Sequence, residues 1–284
     1  MEATAVIGER GDLAISGITD PVPWWSFTKT VLATAALRLV EQGALSLADH
    51  VDGKRFTLRQ LLRHEAGLPD YGPIPRYHED VAAGKPPWPV PRLLAAVDAD
   101  RLRYEPGEGW AYSNVGYLKV AQIIERASGM PLGAALERLA FEPCNLATAR
   151  LATAPADLDG VQMGAARSYH PGWVYHGLIV GTVADAARLL GALVAGRLLK
   201  HDTLAEMLDG RSLPEHRSIA QPDPAYGLGL MLWASDPKGH PIGHRGEGPG
   251  SRIAVYALGH KTAAVWTTLP SNMEAETEVH RLLS

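Results

Sequence analysis

The stretch PVPWWSFTKTVLATAALRLVEQG, residues 21–43, sets a serine and a lysine three positions apart where a proline-rich approach gives way to an apolar run. Phe27, Val31, Leu32, Ala35, Ala36, Leu39 and Val40 recur at the three-and-four spacing of an amphipathic helix, and Gly43 supplies its stop. Leucine and alanine spread to the remaining faces, so the helix is expected to be enclosed on most sides and Lys29 to be partly desolvated. Two roles are open to Ser26. Its hydroxyl can cap the first turn, or it can be a nucleophile whose base is Lys29, its neighbour on the same helix face. The second role requires the lysine pKa to fall by roughly 3 units from about 10.4, a cost of about 4 kcal/mol. Apolar burial and a nearby helix N-terminus both push that way. Ser235-Asp236-Pro237-Lys238 has the same spacing, but Pro237, Gly239 and Pro241 leave no room for a helix, so it reads as a turn.

The 284 residues are enough for one large domain or two interlocked ones around a sizeable core. A net charge of −4 without a basic block or acidic tail offers no footprint for nucleic acid or anionic membrane, which leaves small-molecule chemistry. The opening MEATAVIGERGDLAISG has no secretory pattern and no run is apolar enough to span a membrane, so a cytoplasmic location is expected. Cys144, the single cysteine, cannot form an internal disulfide and is expected to be a buried structural thiol.

TAVIGERGDLAIS reads as a hairpin around residues 9–12. Helical patterns follow over 27–42, 57–63, 90–98, 115–127 and 132–139, and from Thr182 a further helix starts at a capping-box relative with Asp185. Residues 67–91 read as a long proline- and aromatic-rich loop of the kind that walls a substrate site. Strand signals return in AYGLGLMLWA, near PIGHRG, and in SRIAVYAL and TAAVWTTL, consistent with an antiparallel meander. The amino-terminal hairpin has no partner except this distant sheet. The arrangement is therefore α+β: an antiparallel sheet built from both termini with flanking helices, plus a mainly helical insertion. The expected division is 1–24 with 178–284 for the sheet domain and 25–177 for the helical one, with the site between them.

Two further motifs carry polar groups to places where they can face a cleft. In PGEGWAYSNVGY, Tyr112-Ser113-Asn114 stands at a helix entry. A tyrosine beside an ammonium has its phenolate favoured, so Tyr112 and Lys29 are expected to pass a proton between Ser26 and a leaving group. The alternative is an ordinary helix start with Asn114 as cap and Tyr112 packed beneath it. In GHRGEGPGSR, residues 243–252, Gly246 removes a side chain so that a strand edge can approach a ligand, unless the segment is only a turn.

Together, Ser26-x-x-Lys29, Tyr112-x-Asn114 and His244-x-Gly246 resemble, in type and order, the motifs of the serine hydrolases that include class C β-lactamases, D-alanyl-D-alanine peptidases and β-lactamase-like carboxylesterases. LSLADHV, LRQLLRHEAGLPDY, GTVADAARLL and YGLGL are similar to stretches of the same family, so the likeness spans nearly the whole chain. The resemblance implies a β-lactamase/transpeptidase-like fold, an acyl-enzyme on Ser26, Lys29 and Tyr112 as proton handlers, and Asn114 with His244 and Gly246 lining the site. It also implies an oxyanion hole from the backbone N–H groups of Ser26 and Glu247. No cofactor and no metal are implied.

Arg245 stands where many relatives carry a small or hydroxylated residue, which weakens the expectation of β-lactam recognition. Only 25 residues precede Ser26 and the last helix is short, features expected of a compact member. A short-chain carboxylesterase acting on a small-molecule ester is the leading expectation. A D-amino-acid peptidase or amidase, a β-lactamase, and a non-catalytic binding module on the same scaffold are the alternatives. No serine has the glycine-x-serine-x-glycine context of an α/β-hydrolase elbow. The pairs His170/His176 and His240/His244 lack the helical setting of a zinc hydrolase and read as solvent-facing loop histidines.

Overall fold

A computed structural model describes residues 1–166, 168–218, 221–271 and 273–284. In chain order the elements are β1 (Glu2–Ile7), β2 (Leu13–Gly17), β3 (Val22–Pro23), α1 (Thr28–Glu41), α2 (Leu58–Leu62), α3 (Pro75–Ala82), α4 (Val90–Ala96), α5 (Asn114–Ser128), α6 (Leu132–Leu136), β4 (Arg150–Ala152), β5 (Leu178–Gly181), α7 (Val183–Val194), α8 (His201–Leu208), β6 (Arg211–Ser212), β7 (Pro224–Tyr226), β8 (Met231–Trp233), β9 (Ile242–Gly248), β10 (Ser251–Leu258), β11 (Lys261–Thr268) and α9 (Ala275–Leu283).

The large sheet runs β2-β1-β11-β10-β9-β8-β7-β6 and is antiparallel throughout. The amino-terminal hairpin joins the carboxyl-terminal meander through β1 and β11, with Ala5 opposite Ala264. Strand β10 is buried at nearly every position because both sheet faces are covered. Side chains alternate between those faces: Ile253, Val255 and Ala257 enter the main core, while Ala254 and Tyr256 pack with Val279 and Leu283 of α9. Helix α7 covers the opposite face, against β1, β10 and β11. Thr182 caps α7 by accepting from Asp185 N–H (3.2 Å).

Helix α1 is buried continuously from Thr28 to Leu37 and packs against α5, as its all-round apolar pattern requires. Its buried hydroxyls are satisfied: Thr30 Oγ1 donates to Gly229 O (2.7 Å) and Thr34 Oγ1 to Thr30 O (2.8 Å). Several features depart from the sequence reading, the unforeseen helix α8 among them. The expected loop over 67–91 contains α3, started by Pro75 in its first turn. Helix α6 passes into a π-helical stretch at Glu137–Phe141. A small sheet, β3-β5-β4, joins the approach to Ser26 to residues beyond 150. Cys144 is half-buried, and burial pushes its thiol up to about 11, which keeps it protonated. Among the described residues, no helix is long and apolar enough to cross a membrane.

Candidate active site

Ser26 lies in the 3₁₀ turn Trp25–Phe27 that leads into α1. Phe27 holds the N-cap position and no side chain caps there, so the capping role for Ser26 does not occur. Trp25 takes a left-handed backbone (φ 43°), a conformation that costs on the order of 1–3 kcal/mol for a non-glycine residue. It is held there by a buried ring whose Nε1 donates to Ser251 Oγ (3.0 Å) and whose face meets Tyr169 edge-on. The turn carries the Ser26 hydroxyl to Lys29 Nζ, 3.0 Å away. Ser235 and Lys238, with the same spacing, fall in a turn where Ser235 N–H donates to Asp223.

Lys29 Nζ also donates to Asn114 Oδ1 (2.7 Å) and meets His176 Nε2 at 3.2 Å. None of these partners is a carboxylate. Burial lowers the lysine from 10.5 to about 7, against the pull of Asp70, whose charge raises it. The neutral amine is therefore accessible near neutrality, and along the same 3.0 Å contact it can accept the Ser26 proton.

Asn114 opens α5 but does not cap it. Ser113 does: its Oγ accepts from Gly116 N–H (3.0 Å) and donates to Pro69 O (2.8 Å). The Asn114 amide is thereby left for Lys29. Asp70 fixes it by accepting from Asn114 N–H (2.8 Å) and facing Asn114 Nδ2 at 3.4 Å, which turns the amide oxygen toward the amine. Tyr112, just before this helix, lies beside the Ser26 hydroxyl, and its ring is 4.9 Å from Lys29 Nζ. Burial raises its phenol far above the ordinary value, more than its hydrogen bond with Ser26 and the charge of Arg245 offset. This corrects the expected favoured phenolate: desolvation outweighs the neighbours that favour the charged form and keeps the phenol protonated.

Strand β9 closes the site from the sheet side. A Cβ on Gly246 would lie 2.6 Å from Ser26 N and 2.8 Å from Trp24 O, so only glycine lets the strand approach the nucleophile's backbone. His244 is fully buried and its Nε2 accepts from Tyr226 Oη (3.0 Å), with Nδ1 turned to Arg245 O. Burial first, then the charges of Lys29 and Arg245, lower it to about 3, so it is a neutral residue at working pH. Glu247 borders the site on both of its sides.

Two cavities open on Ser26. The larger, about 750 Å³, contains Tyr112, Asn114, Tyr226 and β9 residues from His244 to Glu247. The smaller, about 190 Å³, is walled by Trp25, Tyr71, Tyr77, Val81 and Tyr169, with His176 at its base. Trp24, adjacent to Trp25, is core instead: it is fully buried and its Nε1 donates to Gly181 O (3.1 Å).

All seven sequence-derived site residues therefore meet around one point. Sequence reasoning missed four neighbours. Asp70 sits in the family-like phrase GLPDY but gave no chemical signal. His176 and His244 are buried rather than solvent-facing; His176 touches Lys29 and is held neutral by burial and by the nearby lysine. His64 accepts from Ser113 N–H through Nδ1 (3.1 Å) and packs against the Tyr112 and Tyr226 rings, at 4.4 and 4.8 Å between centroids. Tyr226 belongs to the YGLGL phrase. His170 and His240 serve elsewhere, one accepting from Gly172 N–H and the other stacked on Trp233.

Penicillin-binding protein 4* of Bacillus subtilis (strain 168) is 25% identical over 296 residues, covering 91% of this chain and 62% of that protein. This chain thus spans about three-fifths of the length of that relative. Among solved structures, a D-stereospecific amidohydrolase from Streptomyces sp. superposes with a TM-score of 0.76 at 23% identity, covering 93% of this chain and 88% of that one. The octameric penicillin-binding protein homologue from Pyrococcus abyssi gives 0.79 at 20% identity, with coverages of 98% and 71%. The D-amino acid amidase from Ochrobactrum anthropi SV3 gives 0.76 at 21% identity, with 93% and 87%. At these identities the structural likeness carries the fold, a β-lactamase/transpeptidase-like α+β arrangement. The family described as Beta-lactamase matches residues 20–283, and this chain belongs to that family of serine β-lactamase-like hydrolases.

Proposed function

We propose that the protein is a carboxylesterase that forms an acyl-enzyme on Ser26 and favours short acyl chains. The observation that carries this reading is a buried lysine lowered to about 7, 3.0 Å from the Ser26 hydroxyl and surrounded by neutral partners. Neutral Lys29 takes the Ser26 proton as Oγ bonds to the ester carbonyl carbon. The carbonyl oxygen becomes an oxyanion against the backbone N–H groups of Ser26 and Glu247, donors of a kind whose loss costs about a hundredfold or more. As the C–O bond breaks, the Tyr112 phenol protonates the departing oxygen and is itself reprotonated by the Lys29 ammonium, which carries the proton taken from Ser26. Water then repeats the sequence with Lys29 as base and Ser26 as leaving group, releasing the acid.

The leaving atom must lie beside Tyr112, which borders the larger cavity and not the smaller. The acyl group accordingly enters the aromatic pocket. At about 30 Å³ per water-sized group, its 190 Å³ hold on the order of six such groups. Esters beyond that length would have to displace rigid rings. The protonated Tyr112 also supports a second reading, hydrolysis of D-amino-acid amides, because an amine leaves only with a proton.

Two measurements test the reading. Intact-protein mass after treatment with a fluorophosphonate should show one adduct on the natural protein and none on Ser26→Ala; an equally labelled variant removes the nucleophile assignment. A series of p-nitrophenyl esters from acetate to decanoate should give kcat/KM with a maximum at or below about six carbons, the length limited by steric cost. A steady rise to the longest chain means an open groove, and turnover of D-amino-acid amides above that of every ester favours the second reading.

A further inference from the structure

The larger cavity, which takes the leaving group in the proposed esterase, carries two guanidinium groups on its walls, Arg245 and Arg252. Either would serve a carboxylate on the leaving group if it were free. Neither is. Arg245 Nη1 lies 2.7 Å from Glu276 Oε2. The other Glu276 oxygen accepts from Tyr256 Oη (2.6 Å) and from Gln221 Nε2 (3.0 Å). A carboxylate that is only 11% exposed and bonded on both oxygens is a fixed counter-ion, unlike the mobile partner of an ordinary surface pair. Arg252 is held by Glu274 and lies 3.5 Å from Glu247. His244, deeper in the same wall, is neutral and bonded to Tyr226. Three carboxylates thus face two guanidinium groups across the cleft, and among the described residues lining it no cation is left unpaired.

We infer that Glu276 is a specificity-determining residue: by holding the Arg245 guanidinium it leaves the cleft without a free cation, so that esters with uncharged leaving groups are turned over and those with carboxylate-bearing leaving groups are rejected. This rests on the esterase reading of Ser26. An anion entering the cleft has to compete with Glu276 for Arg245 while facing Glu247 and Glu274, and like charges at such distances exclude a wrong partner. The acyl side is unaffected, since Glu276 and Arg245 do not border the small pocket. The selection is therefore made on the alcohol half of the ester alone.

The test compares p-nitrophenyl acetate with the same ester bearing a ring carboxylate, each rate corrected for spontaneous hydrolysis, and reads the ratio of kcat/KM values within each protein. The natural protein should favour the uncharged ester by at least about tenfold, the worth of one charge-assisted hydrogen bond. Glu276→Gln keeps the shape and an acceptor oxygen but frees Arg245, so its ratio should shift toward the anionic ester by about the same factor. The double variant Glu276→Gln with Arg245→Gln should lose that shift. Arg245→Gln alone leaves the Glu276 charge uncompensated and should move the ratio further toward the uncharged ester, whereas the double variant, which removes both charges together, should keep the natural ratio; the double variant decides the matter if Glu276→Gln does not fold. Equal turnover of both esters by the natural protein, an unshifted ratio in Glu276→Gln, or a ratio moved toward the uncharged ester in the double variant would each overturn the inference while leaving the esterase reading standing. No turnover of p-nitrophenyl acetate and no Ser26 adduct would overturn both.

Discussion

Replacing Lys29 by Met should remove activity and, at neutral pH, make the protein more stable. The lysine is fully buried and lowered from 10.5 to about 7, so the folded state must give up a proton that the unfolded chain keeps. At about 1.4 kcal/mol per pKa unit this costs roughly 5 kcal/mol below pH 7 and about 4 kcal/mol at pH 7 itself. The cost fades as pH rises toward 10.5, because between the two values the unfolded state binds more protons and stability therefore increases with pH. At pH 9 about 2 kcal/mol remains. Methionine fills similar volume without a charge, but leaves Asn114 Oδ1 without its donor, a loss of about 1–3 kcal/mol. The net expectation is a gain of about 1–3 kcal/mol for Lys29→Met at pH 7, shrinking by about 2 kcal/mol at pH 9. Urea unfolding of both proteins at the two pH values gives the comparison, provided the m-values agree. A variant less stable than the natural protein by the same amount at both pH values would refute the argument, since a pH-independent loss means that Lys29 does not change protonation on folding.

The pH dependence of kcat/KM should rise through a single ionisation near 7, the Lys29 value, and stay flat on the alkaline side, because Tyr112 is held far above the assayed range. A bell-shaped profile would mean that the phenol and amine titrate as a coupled pair. Asp70→Asn removes the charge that raises Lys29 while keeping an acceptor for Asn114 N–H, so the acid limb should move to lower pH; a move to higher pH would contradict the assignment. Gly246→Ala places a methyl group 2.6 Å from Ser26 N, against backbone that cannot yield. Its kcat should fall by about a hundredfold or more through the displaced donor, with the far-UV circular dichroism retained.

What could be read from the sequence was local. The α1 helix, its Ser26-Lys29 pairing and the Thr182 cap depend on residues within a few positions of one another, and the physics of helical spacing reaches that far. The terminal hairpin could be assigned to the far sheet because a two-stranded ribbon needs a partner, and β11 supplies it. Helix α3 was hidden because proline and polar residues dominate its sequence and its buried positions are few. The β3-β5-β4 sheet was hidden because a two-residue strand leaves no period to detect. Asp70, His64, His176 and Tyr226 were hidden for a different reason. Each is an ordinary residue in its own segment and acquires a role only when tertiary packing brings it to Lys29, Tyr112 or His244. The protonation of Tyr112 was misjudged because spacing shows which groups are neighbours but not how completely they lose water.

That loss of water organises the whole site. Lys29 is brought near 7, His64, His176 and His244 are pushed below their ordinary range, and Tyr112 is pushed above its own, with burial the largest cause in each case. Around pH 7 the groups touching Ser26 can therefore be uncharged together, and one proton on Lys29 distinguishes the resting from the reactive state. In such surroundings the charge that develops on a carbonyl oxygen has few nearby ions to respond to it, so fixed backbone dipoles carry more of the stabilisation than they would in water. The close approach of β9 at Gly246 acquires its meaning here, since it brings two stretches of backbone to the place where that charge would form. The same desolvation makes the site costly to fold, which is why the residue most needed for chemistry, Lys29, is also the one whose removal should strengthen the protein.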